Sequence, residues 1–272
     1  MNILISNDDG VFAPGILAAK QAVEDLANVT VVAPDINNSS VGRRITLFKH
    51  LKLQSCELED GSPAYSVSGT PADAVIVGVD YVMDEKPDLV ISGINQGVNI
   101  SCDITSSGTV CAAFEAVSLG IPAIAVSLFI DPKTAYKQDE NGEWYVDYDF
   151  ELTKKVLREL VLKIIDEGFP DGVDLFNLNV PSNYDSEDVK ITKLSNKMLD
   201  KHVIDNTNEE KAELFNYPLD ENQKSDDLIM ITSNLFQEYE EGSDGYALFV
   251  EKCPSLTPLK VNMTYEDLKD WK

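Results

Sequence analysis

The sequence predicts an α/β fold, a Rossmann-like sandwich around a mostly parallel central sheet. Three observations carry that prediction. Short apolar runs at residues 3–5, 29–33, 88–92 and 123–128 each stop abruptly at polar residues, as buried parallel strands do. Helical stretches of crossover length separate the strand-like runs. Glycine, proline and small polar residues cluster after the runs, where open α/β sheets bind their ligands.

The first run ends in Ser6-Asn7-Asp8-Asp9-Gly10, and Pro14-Gly15 then turns the chain into a helix over 16–26. Adjacent carboxylates at the end of a strand repel each other unless something positive lies between them. A hard cation, Mg²⁺ or Mn²⁺, suits an oxygen site of this kind. The plainer reading is a polar Asp-Gly turn with Asp8 at the helix entry.

The second run ends at Pro34-Asp35, and residues 36–42 form a loop rich in side-chain oxygens, Ser39 among them. If the two strands are neighbours, this loop lies beside Asp8 and Asp9 and could complete a cation's shell. Without the Asp pair it would read as a plain surface loop. Residues 43–52 are a basic island holding Arg43, Arg44, Lys49, His50 and Lys52, and Ile45, Leu47, Leu51 and Leu53 alternate there as in a strand. A solvated strand face is the default for such charges; contact of Arg43 or Arg44 with a substrate anion is the sharper alternative.

Thr70-Pro71-Ala72-Asp73 is a helix start, with Thr70 as N-cap, proline at the first helical position and Asp73 near the positive end. Capping alone explains these residues. The run at 88–92 ends in Gly93-Ile94-Asn95-Gln96-Gly97. Glycines there permit tight turns near a ligand, and Asn95 could give the cation a neutral oxygen or simply form a turn.

Thr105-Ser106-Ser107-Gly108-Thr109 opens a helix running to about residue 119. Small residues leave the first N–H groups accessible and the helix dipole favours an anion, so this is a candidate phosphate cradle as well as an ordinary cap. A polar, acidic stretch at 131–149, with an Asn141-Gly142 turn signal, reads as an inserted hairpin or loop. An amphipathic helix follows over 149–167, with Leu152, Val156, Leu160 and Ile164 on one face. Residues 175–180 read as the last clear strand of the core. After Pro181 short strands at 189–194 and 228–232 alternate with acidic stretches, which suggests an extension reaching towards a second subunit. The expected organisation is a catalytic core over 1–180 and an extension over 181–272 within the same domain.

The net charge of −25 sets this chain apart from ordinary soluble proteins. It argues against nucleic-acid polymers and anionic membranes as partners, because steering would be repulsive; a small phosphate ester captured by a local metal stays allowed. Four cysteines without a Cys-x-x-Cys pair, and two histidines, make a Cys/His zinc site a poor expectation and suit a reducing compartment. The apolar run at 121–130 is too short to span a bilayer. With no signal-peptide pattern at the start, the reading is cytoplasmic.

Together these stretches resemble the SurE (survival protein) family of metal-dependent 5'-nucleotidases. The resemblance rests on residues 6–10 with Ala13-Pro14-Gly15, on 32–35 with Asn37 and Ser39, on 69–73, on 92–97 and on Ser107-Gly108-Thr109-Val110. It extends to Asp244, Tyr246-Ala247 and Leu256-Thr257-Pro258-Leu259, nearly the whole length in order. It implies a C-terminal extension exchanged between subunits of a homodimer or homotetramer. It implies one divalent ion per subunit on Asp8, Asp9, Ser39 and Asn95, with Asp8, Asp9 and Asn95 as the catalytic set. The phosphate-contacting loop falls on Ser107, Gly108 and Thr109, and the substrate is a nucleoside 5'-monophosphate or another phosphomonoester. Arg43-Arg44, Ser40 and Ser106 depart from the family's usual residues and bear on substrate preference.

Competing readings fail on spacing. A receiver domain needs a phospho-accepting Asp where this chain has Ile91-Ser92-Gly93. A haloacid-dehalogenase-type phosphatase needs Asp-x-Asp, and Asp8 and Asp9 are adjacent. A nucleotide-binding module lacks both the Gly-x-Gly-x-x-G and the P-loop patterns.

Overall fold

A nine-stranded mixed sheet forms the body of the protein. The computed structural model describes residues 1–130, 136–138, 144–182, 188–196, 200–205, 229–234 and 238–264. The strands are β1 Asn2–Ser6, β2 Asn28–Pro34, β3 Leu53–Glu57, β4 Pro63–Val67, β5 Leu89–Gln96, β6 Ala123–Phe129, β9 Leu175–Pro181, β10 Lys190–Ile191 and β13 Ser255–Leu259. Six of them, β4-β2-β1-β5-β6-β9, run parallel. The chain builds outward from β1 through β2 to β4, then returns to β5 on the other side of β1. The switch point therefore lies between β1 and β5, where such sheets open a crevice beyond the strand ends.

Strand alternation sorts the core into two layers. Ile3 and Ile5 of β1, Val31 and Ala33 of β2, and Leu89 and Ile91 of β5 face helices α1 (Pro14–Val23) and α4 (Glu151–Glu167). Their neighbours Leu4, Val32 and Val90 face α2 (Pro71–Val77) and α3 (Gly108–Ser118). Each central strand is thus apolar on both faces, which is why it reads as an unbroken run. On α4, Val156 and Ile164 are buried with Leu157 and Val161, while Leu152 and Leu160 are partly buried. Thr70 and Asp73 make the reciprocal capping box of α2, through Asp73 N–H to Thr70 Oγ1 at 3.2 Å and Thr70 N–H to Asp73 Oδ2 at 2.8 Å.

Several expectations are corrected. Residues 43–52 are irregular, and the strand begins only at Leu53. The loop is held instead by side-chain contacts, with Thr46 N–H donating to Asp73 Oδ1 at 2.8 Å and Thr70 Oγ1 to the Arg44 carbonyl at 2.6 Å. Strands β3 and β4 form an antiparallel hairpin around Asp60-Gly61, with Gly61 at φ +80°, as an Asp-Gly turn allows. Strand β5 does not stop at Ser92. It shifts register between Ser92 and Asn95 and continues to Gln96.

The core sheet also does not end at β9. Strand β13 pairs antiparallel with β9, and β10 pairs parallel with β13. Pro258 hides β13 from a sequence reading, because proline removes a ladder donor. Here the Leu259 carbonyl accepts from Asp174 on the β9 side and the Leu256 carbonyl accepts from Thr192 on the β10 side. Pro258 therefore faces the β10 side, past the end of that two-residue strand, where no N–H is needed.

Two small antiparallel pairs lie outside the main sheet. Strand β7 (Tyr136–Gln138) pairs with β8 (Trp144–Val146), as the hairpin expectation has it, with the Asn141-Gly142 turn outside the described residues. Strand β11 (Asp200–Asp205) pairs with β12 (Ile229–Asn234); residues 206–228 lie outside the described set. Among the described residues no helix is long and apolar enough to cross a membrane.

Candidate active site

The ends of β1, β2 and β5 and the start of α3 meet around one cavity of about 220 Å³. Its lining includes Asp8, Asp9, Ser39, Asn95, Asn99 and Ser107. Topology explains the meeting. Strands β2 and β5 flank β1 on either side, so the loops after all three strands open at the same edge. Four residues expected from three separate stretches of sequence as cation ligands, Asp8, Asp9, Ser39 and Asn95, thus line one cavity.

Asp8 is almost fully buried, 4% exposed. Thr109 Oγ1 donates to its Oδ1 at 2.6 Å. Burial pushes its carboxyl up to about 6, the Thr109 hydroxyl pulls it down, and the Asp9 charge raises it again. Asp9 is also raised by burial, opposed by the Gln96 N–H at 3.3 Å and the Asn37 amide at 3.2 Å. Among the described residues no Lys, Arg or His pairs with either carboxylate. Two desolvated acids side by side with no protein cation are what a bound metal ion would relieve. No three His, Cys, Asp or Glu side chains of the described residues group as a metal site. A cation here would rest on two carboxylates and neutral oxygens, the donor set of a hard ion.

Helix α3 points its N-terminus at this pair. Ser107 is its N-cap and accepts from Val110 N–H at 3.1 Å. A Cβ on Gly108 would sit 2.7 Å from Asp8 Cβ and 2.7 Å from Asp8 Oδ2, so only glycine lets the helix approach this closely. Of the three residues expected to cradle phosphate, Ser107 lines the cavity, whereas Gly108 packs against Asp8 and Thr109 bonds to it. The Thr109 hydroxyl is committed to Asp8. That role is invisible in sequence because the partners are 101 residues apart.

The Ser39 loop is fixed from both sides. Asn38 N–H donates to the Asp8 carbonyl at 2.7 Å, Ser39 N–H to Asn37 Oδ1 at 2.9 Å, and Gly42 N–H to the Ser106 carbonyl at 3.0 Å. Arg43 Nε donates to buried Glu115 of α3 at 2.8 Å, and its guanidinium also meets Ser118. Arg43 is therefore a clamp on the loop. The side chain of Arg44 is exposed.

A further residue holds the opposite rim. Asp244 is fully buried and accepts from Ser101 N–H at 2.6 Å, Ser195 N–H at 3.1 Å and Gly245 N–H at 2.8 Å. Ser101 has φ +59°, uncommon for serine, and begins the 3₁₀ turn Ser101–Thr105 beside the cavity. The family resemblance includes Asp244, but its hydrogen bonds cannot be read from spacing.

Fold and site define a class: a doubly wound α/β protein with an acidic, oxygen-lined pocket at its switch point, faced by a helix N-terminus. Residues 3–201 match the family described as Survival protein SurE, and the chain belongs to that family. It is 43% identical over its full length to the 5'-nucleotidase SurE of Methanobrevibacter smithii, covering 99% of that protein. It is 40% identical over 97% of its length to the 5'-nucleotidase SurE of Methanosphaera stadtmanae, covering 96% of it. A SurE protein from Aquifex aeolicus, known by crystal structure, matches with TM-score 0.73 and 34% identity, over 97% of this chain and 95% of that one.

Proposed function

We propose that this chain is a 5'-nucleotidase of the SurE type, a hydrolase that releases phosphate from nucleoside 5'-monophosphates. Full-length relatives bear that name at about 40% identity and the family match spans most of the chain. The observation that carries the chemistry is the convergence of Asp8, Asp9, Ser39, Asn95 and Ser107 on one cavity.

Asp8, Asp9, Ser39 and Asn95 would hold a divalent cation, Mg²⁺ or Mn²⁺. When bound, such an ion supplies charge neutralisation at the phosphate and lowers the pKa of water. Thr109 holds Asp8 in place, and Asn37 and Gln96 hold Asp9. Ser107 and the positive end of the α3 dipole would offset charge on the phosphate oxygens as the ester bond breaks. The antiparallel β11–β12 pair, outside the main sheet, is the element we assign to exchange between subunits of a dimer or tetramer. Light scattering with and without residues 200–234 tests that assignment.

The function is tested by phosphate release from a panel of nucleoside monophosphates, after chelation and then with added Mn²⁺ or Mg²⁺. Release that is lost on chelation and restored by the metal is expected. Release unaffected by a chelator would exclude the metal, and no release from any monophosphate would exclude the activity.

A further inference from the structure

Asn99, which lines the same cavity as the acids, is held by a row of neutral side chains. Asn95 of β5, Ser127 of β6 and Asn179 of β9 are in register across three adjacent strands. Asn179 and Ser127 are fully buried, as is Asn177 two residues earlier on β9. All three serve one residue, Asn99. Asn177 Nδ2 and Asn179 Nδ2 both donate to the Asn99 carbonyl, at 2.8 and 2.9 Å. Asn179 Oδ1 accepts from Asn99 N–H at 2.9 Å, and Asn99 Nδ2 donates to Ser127 Oγ at 2.9 Å.

The arrangement is costly for Asn177, whose Oδ1 is buried and accepts no hydrogen bond among the described residues. An apolar side chain would carry no such cost. What the amide provides here is its donor to Asn99. The Asn99 backbone and one amide hydrogen are consumed by this network. Its side-chain oxygen and second amide hydrogen are not used by it, and Asn99 lines the cavity. An amide fixed this way offers one acceptor and one donor with no charge, which matches a group that both gives and takes hydrogen bonds. A dianionic phosphate is not such a group; a sugar hydroxyl or a base edge is.

We propose that Asn99 is a specificity-determining residue that contacts the nucleoside part of the substrate, and that Asn177 and Asn179 are positioning residues for it. The proposal rests on the nucleotidase reading above. It predicts that recognition beyond the phosphate comes from hydrogen bonding to a hydroxyl or a base edge.

The test compares kcat and KM for a ribonucleoside 5'-monophosphate, its 2'- and 3'-deoxy analogues and phenyl phosphate, which has no such hydroxyl or base edge. For Asn99→Ala, KM for the ribonucleotide is expected to rise about tenfold, the weight of a lost hydrogen bond, while phenyl phosphate turnover stays within twofold. Asn179→Leu, nearly isosteric, is expected to reproduce the selective loss at a smaller size, with Mn²⁺ affinity unchanged. If one deoxy analogue already shows the higher KM on the unaltered enzyme, and Asn99→Ala does not raise it further, the contact is to that hydroxyl. A loss that persists in full with both analogues assigns it to the base. Equal losses for nucleotide and phenyl phosphate, or no loss for either, overturn the proposal. Absence of turnover with the unaltered chain would instead overturn the nucleotidase reading.

Discussion

Two parts of the cavity lining, the acid pair and Asn99, are built on opposite principles. On one side Asp8 and Asp9 are acids taken out of water with hydrogen-bond support but no countercharge from the described residues. On the other, Asn99 is held by neutral partners that satisfy its backbone completely. The acid pair lacks a countercharge, whereas the Asn99 backbone has both its donor and its acceptor paired. The difference teaches where binding energy is stored: a desolvated pair of like charges is stabilised by a cation, whereas an amide fixed through its backbone supplies shape and orientation.

The strongest way to break this contrast is to neutralise the acidic wall. Asp8→Asn keeps shape and the Thr109 partner but removes the charge. Phosphate release should fall by at least about a hundredfold, with the circular dichroism spectrum unchanged. Retained turnover would place the chemistry elsewhere.

Next in size is Gly108→Ala, which adds a Cβ where Asp8 Cβ stands 2.7 Å away. Overpacking of this kind costs about 1–3 kcal/mol. Urea unfolding should show the loss, and Mn²⁺ affinity should weaken, because the new methyl group displaces Asp8.

A pH series sharpens the contrast further. Asp8 titrates near 6 in the fold against an ordinary 3.8, so the folded chain binds this proton more tightly than the unfolded chain. The contribution to stability is fully present below about pH 4 and is lost as pH rises through 6. Without metal, Asp8→Asn should gain on the unaltered protein by about 2–3 kcal/mol over that window. Added Mn²⁺ should abolish the gain, since the ion binds the ionised pair. A constant difference across the window would refute the burial argument.

The smallest effect is expected at the clamp. Arg43→Ala leaves Glu115 buried without its partner, and because Arg43 is partly exposed the cost is about 1 kcal/mol. KM should change more than kcat, through loosening of the Ser39 loop.

What was legible in the sequence follows from where information is local. Strands β1, β2, β5 and β6 are apolar on both faces, so their runs could be read directly. The pair Asp8-Asp9 and the capped starts of α2 and α3 are also local patterns. The 43–52 alternation misled because apolar spacing alone does not make a ladder; among the described residues its backbone pairs with no strand, and Leu47 and Phe48 are exposed. Strand β5 looked finished at Ser92 because Gly93 imitates a terminator. Asn177 and Asn179 were read only as part of a core strand, since nothing in their spacing names a partner 78 to 80 residues earlier. Thr109, Arg43 and Asp244 were obscured for the same reason. Their partners become neighbours only after the sheet closes.

The bond from Asp244 to Ser101 bridges 143 residues, and β13 joins the sheet from the same late portion of the chain. During synthesis the amino-terminal strands emerge and can pair long before this anchor exists. A ribosome-tethered chain stopped before Asp244 would own both acids and the Ser39 loop, yet its Ser101 turn would lack its anchor. Competence to select a substrate should therefore arrive late in translation, after the ability to form most of the sheet.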